Sequence, residues 1–106
     1  MNRVGFAERQ RPPVVLTVPG LNNSGPDHWQ TLWEQSRGDC ERVDLGRWAN
    51  PNRNAWVTRL DAAIRQIDGP VILAAHSLGC ITVAWWGALQ NQAYGWPVTG
   101  ALLVAP

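Results

Sequence analysis

Three short, almost unbroken apolar runs stand at wide spacing along the chain: Val14 to Val18, Val71 to Ala75 and Ala101 to Ala105. Runs of five mainly β-branched and aliphatic residues without polar alternation predict strands covered on both faces, as in a parallel sheet between helices. A weaker strand is predicted at Arg42 to Leu45. The segments between these runs carry helical periodicity. Ser24-Gly25-Pro26-Asp27 fits a capping box, after which Trp29, Leu32 and Trp33 share one helical face. Trp56, Leu60, Ala63, Ile64 and Ile67 repeat at the same spacing until Gly69-Pro70 stops them, and Ile81, Ala84, Trp85, Ala88 and Leu89 repeat again. Strand and helix therefore alternate. That alternation predicts an α/β domain of three αβα layers, with a mostly parallel sheet, right-handed crossovers and strand order 2-1-3-4. Residues 1–13 are polar, end in Pro12-Pro13, and read as a lead-in to one domain over 14–106.

Composition narrows the function classes. With 106 residues, 45% hydrophobic and 16% charged, the chain suits one compact domain and is too apolar for a disordered segment. Nine arginines and no lysine against eight acidic side chains leave a formal charge of +1. No electrostatic surplus exists for gripping a phosphate backbone or an anionic membrane, so neither nucleic acid nor membrane is an expected partner. No run approaches the roughly eighteen apolar residues of a spanning helix, and Met1 to Gln10 has no apolar core like that of a secretory signal. A cytoplasmic protein is expected, with Cys40 and Cys80 as free thiols. No metal-ligand pattern or cofactor loop is evident. The glycosylation sequon Asn22-Asn23-Ser24 is idle in that setting.

The topology locates a site before any motif does. With order 2-1-3-4 the chain reverses between strands one and three, and ligands bind outside the carboxyl ends of those strands. The loops there are Pro19 to Gly25 and His76 to Leu78. The second holds Ala75-His76-Ser77-Leu78-Gly79 between a buried strand and a helix. A sharp strand-to-helix turn lifts its middle serine into the crevice and needs small residues two before and two after, which Ala75 and Gly79 supply. The backbone N–H of Leu78 opens the helix and is aimed at an oxyanion above Ser77. The glycines of the first loop predict a sharp turn, and the N–H of Leu21 is the expected second oxyanion donor. A phosphate-binding loop is disfavoured because no Gly-Lys-Ser/Thr follows.

Val18-Pro19-Gly20, Asp27-His28-Trp29 at a helix start, and Ala74-Ala75-His76-Ser77-Leu78-Gly79-Cys80 together resemble the small α/β-hydrolases of the retinoblastoma-binding-protein-9/YdeN type. The resemblance runs from about Val14 to Pro106. It implies the α/β-hydrolase fold and a cofactor-free serine hydrolase that cleaves an ester, thioester or amide through an acyl-enzyme. Ser77 matches the family nucleophile, and Leu21 and Leu78 match its oxyanion positions. In this fold the triad runs Ser, Asp, His along the chain, with the last two after later strands. The resemblance therefore implies a fold truncated after the fourth strand, its acid and base lying beyond Pro106, and a chain inactive by itself whose exposed edge strand invites self-association.

Other residues read more plainly. His76, adjacent to the nucleophile on a tight turn, diverges from it and is expected to pack. His28 is expected to be structural, bonding the first loop, since a helix N-terminus disfavours the imidazolium a general base becomes. Trp29 and Trp33 are expected in the core, while Trp48 and Trp96 are candidates for a substrate pocket. Asp44 ends the weak strand on the wrong side of strand one to serve Ser77. The alternatives are a non-catalytic interaction module on a hydrolase scaffold and a flavodoxin-like binding domain. The second is disfavoured because the first loop lacks a hydroxyl-rich run.

Overall fold

The computed structural model describes residues 12–89 and 98–105. Among them, four strands form one parallel sheet in the order β2-β1-β3-β4. In chain order the elements are β1 (Val14–Val18), α1 (Trp29–Ser36), β2 (Cys40–Arg42), α2 (Arg53–Gln66), β3 (Val71–His76), α3 (Leu78–Leu89) and β4 (Val98–Val104). The α/β class and strand order match the expectation from alternation. The reading of residues 1–11 as a lead-in lies outside the described residues.

Side-chain alternation sorts the layers. Leu16, Val18, Leu73 and Ala75 point to one face, where α2 and α3 supply Trp56, Leu60, Ile64, Cys80 and Trp86 to the main core. Val15 and Ala74 point to the other, where Trp29 and Trp33 of α1 close a smaller cluster that includes Cys40. The two cysteines thus lie on opposite faces of the sheet. Both are free, and burial pushes both thiols up.

Several boundaries differ from the sequence reading. The weak strand is Cys40–Arg42, not Arg42 to Leu45. Its register sets Arg42 opposite Thr17, so residues beyond Val43 run past the end of β1, where Pro19 has no N–H to continue the ladder. Val43 and Leu45 are still buried, but as extended chain packed on the main core. β4 begins at Val98 rather than Ala101, because a bulge between the Val71 and Ile72 pairs absorbs Thr99 and lets Gly100 rejoin the ladder.

The Ser24 capping box does not form. Gly25 to His28 makes a turn, closed by the His28 N–H on the Gly25 carbonyl, and α1 starts only at Trp29. Its N-cap is His28, whose Nδ1 accepts from the Gln30 N–H at 3.1 Å. Leu32 faces solvent, and the buried residue of this helix is Gln30.

The largest departure is α3. The stripe Ile81, Ala84, Trp85 and Ala88, expected to pack inward, faces out, with Ile81 46% and Trp85 38% exposed. The opposite face, with Gly79, Cys80, Thr82 and Trp86, is buried instead. This helix is apolar almost all round, so periodicity alone does not say which side meets the sheet. Close approach decides it. A Cβ on Gly79 would stand 2.1 Å from the Val18 carbonyl oxygen, so the glycine side is where backbone meets backbone.

Candidate active site

β3 and α3 meet at Ser77, which has φ of 55°. A non-glycine residue there is strained, and Ser77 holds that conformation between a buried strand and a helix. Its N–H donates to the Val104 carbonyl at 3.0 Å and its carbonyl accepts from the Cys80 N–H at 2.9 Å, so both neighbouring elements hold the turn. Ala75 is fully buried before the turn, and Gly79 after it lies under the end of β1.

The loop after β1 presses on the same point. A Cβ at Gly20 would lie 2.9 Å from the Ser77 Cβ and 3.0 Å from the Leu78 nitrogen. Gly20 is therefore required for close approach, not for a left-handed turn. The left-handed residues are Asn22 and Asn23, at φ 62° and 65°, contrary to the expectation that the glycines make the bend. Asn23 N–H closes the turn on the Gly20 carbonyl at 3.0 Å, and Asn22 N–H donates to the Trp48 carbonyl at 2.8 Å. Leu21, its side chain 51% exposed, follows Gly20 directly.

Two polar residues absent from the sequence reading hold this arrangement. Gln30 is fully buried, and its Nε2 donates to the carbonyls of Val18 at 3.1 Å and Ala74 at 2.8 Å, while its Oε1 accepts from the Ser24 hydroxyl. One amide thus ties the last residue of β1, the β3 segment leading to Ser77 and the far end of the first loop. Arg42 extends the clamp: Nη1 donates to Asn23 Oδ1 at 3.2 Å and the Ser24 carbonyl at 3.0 Å, and Nε donates to Glu34 at 2.9 Å. Glu34 also accepts from the Thr17 hydroxyl.

The histidines sit beside the elbow without serving it. The His76 ring lies edge-on to His28, centroids 4.4 Å apart, and its Nδ1 accepts a long 3.4 Å bond from the Trp29 indole. His28 spends Nδ1 on the helix cap rather than on the first loop, and its Nε2 is buried without a partner. Burial, then His76 and Arg42, lowers the His28 pKa against the opposing pull of Glu34, so the ring is held neutral. Trp48 packs edge-on against Trp56 at 5.7 Å instead of opening a pocket, and Trp96 lies outside the described residues. Asp44 is exposed and stands beyond β2 rather than at its end. Among the described residues, no group of three or more His, Cys, Asp or Glu side chains could hold a metal ion, and no helix is long and apolar enough to cross a membrane.

A sequence model described as serine hydrolase matches residues 15–106. The crystal structure of a YdeN-like hydrolase from Pectobacterium atrosepticum is similar over 96% of this chain, with 26% identity and a TM-score of 0.78. The match covers 51% of that hydrolase, so the chain spans about half its length. No curated protein matches the chain.

Proposed function

The chain belongs to the serine hydrolase family, and from that premise we propose that Ser77 is the nucleophile of a hydrolase acting on an ester, thioester or amide. In acylation the Ser77 Oγ bonds to the substrate carbonyl carbon, the bond to the alcohol, thiol or amine breaks, and the Oγ proton ends on that leaving group. Water then attacks the acyl-enzyme, releasing the acid and restoring the serine. The N–H groups of Leu21 and Leu78 stabilise the negative oxygen of each tetrahedral intermediate.

The observation that carries this reading is the strained Ser77 with the Gly20 loop pressed against it. The Nδ1 atoms of His28 and His76 are taken up by the α1 cap and the Trp29 indole, and the resemblance to the α/β-hydrolases assigns the general base and its acid to later segments of the whole enzyme. The two buried free thiols suit a reducing, cytoplasmic setting.

Labelling with a fluorophosphonate, read by intact mass, tests the assignment. In the full-length enzyme, wild type gains one adduct and Ser77→Ala gains none. Equal labelling of both would remove Ser77 from the chemistry and favour a non-catalytic interaction module on the same scaffold.

A further inference from the structure

A cleft of about 240 Å³ opens between the start of α2 and the outward stripe of α3. Its α3 wall is Leu78, Ile81, Thr82 and Trp85, and Trp56 closes the α2 side. Leu78 immediately follows Ser77, so this wall of the cleft starts one residue from the proposed nucleophile. From Leu78 to Trp85 it follows seven residues of helix, about 10 Å at 1.5 Å per residue. The other wall also begins at the site. The segment leading into α2 carries Trp48, whose carbonyl holds the Asn22 N–H of the first loop and whose ring packs on Trp56.

Several of the polar groups along this cleft are already engaged. The Thr82 hydroxyl donates to the Leu78 carbonyl at 3.1 Å and is not free for a ligand. The Trp56 indole donates to the Gly46 carbonyl at 2.7 Å, and the Asn52 side chain accepts from the Ala55 N–H at 3.0 Å. The Arg53 guanidinium lies 4.3 Å over the Trp85 ring at the rim. A wall that is mainly apolar, with its cation stacked at the rim, rewards the removal of apolar surface from water.

We propose that this cleft receives an uncharged aliphatic acyl group of the substrate, with the acyl carbonyl at Ser77 and the chain running along Leu78, Ile81 and Trp85. The inference rests on the hydrolase reading of Ser77. The cleft is smaller than the ~300–1,000 Å³ of pockets that hold whole drug-sized ligands, which fits the acyl half of a substrate alone.

The test separates the cleft from the chemistry. Binding of acetamide, butanamide, hexanamide and octanamide to the Ser77→Ala chain is measured by calorimetry, with no turnover to interfere. Affinity is expected to rise about fourfold for each methylene that enters. Trp85→Ala and Ile81→Asn, both at positions more than a third exposed, should flatten that dependence without lowering the melting temperature. Affinity independent of chain length, or a slope that survives both variants, overturns the proposal. So does equal binding of octanamide carrying a terminal carboxylate, since that would make Arg53 the recognition element. Chain-length-dependent binding alongside a full-length wild type that resists fluorophosphonate would instead overturn the hydrolase reading and leave an apolar cleft.

Discussion

Replacing Gln30 is the sharpest way to ask whether one buried amide organises both loops of the site. Gln30→Leu keeps most of the side-chain volume but removes two donated hydrogen bonds, to Val18 and Ala74, and the acceptor for Ser24. All of this happens at a position with no solvent exposure, so water does not replace what is lost. Each neutral hydrogen bond contributes about 1 kcal/mol, and each buried group left unsatisfied costs about 1–3 kcal/mol. The two carbonyls have second lone pairs that soften their loss, which sets the total at about 2–4 kcal/mol. For a domain of this size the melting temperature should fall by at least about 8 °C. Gln30→Glu is the more discriminating variant. An ionised carboxylate accepts but does not donate, and would face two carbonyl oxygens. Its protonated form restores one donor, so the glutamate variant should recover stability as pH falls toward the acid side. Urea unfolding against pH provides the energies. Amide exchange over residues 18–25 and 75–79 reports whether the loops loosen. A loss below about 0.5 kcal/mol with unchanged exchange in both segments would refute the clamp.

Gly79→Ala should destabilise the chain by about 3 kcal/mol or more, because its Cβ meets backbone at 2.1 Å, while Gly25→Ala, with open space around it, should be neutral or gain up to about 1 kcal/mol; thermal melts of the pair check the contrast, and equal stability would place β1 wrongly over α3. His28 has a folded pKa below its unfolded value, so the unfolded chain binds the extra proton. The stability due to neutral His28 is full above the unfolded value of 6.5 and lost as pH falls below it toward the lower folded value. His28→Asn, which keeps a capping side chain, should flatten the stability profile in that window, and an unchanged slope would show that the ring is free to protonate in place.

Local spacing made much of the molecule legible. Apolar runs without alternation placed β1 and β3, the alternation of strand and helix predicted the β2-β1-β3-β4 order through right-handed crossovers, and small residues on either side of Ser77 marked the tight strand-to-helix turn. These features depend on neighbours a few residues apart, which is the range over which a sequence pattern carries information. What the pattern left open depends on partners far along the chain. The amide of Gln30 reaches carbonyls 12 and 44 residues away, and Arg42 gathers Asn23, Ser24, Thr31 and Glu34 from two different segments. The start of α1 passed from Ser24 to His28 because tertiary bonding to Gln30 took the serine hydroxyl inward. The orientation of α3 was undetermined for a different reason. A helix apolar on both sides gains nearly as much from burying either one, and the choice falls to the contact between Gly79 and the Val18 carbonyl, which exists only once β1 and β3 lie side by side.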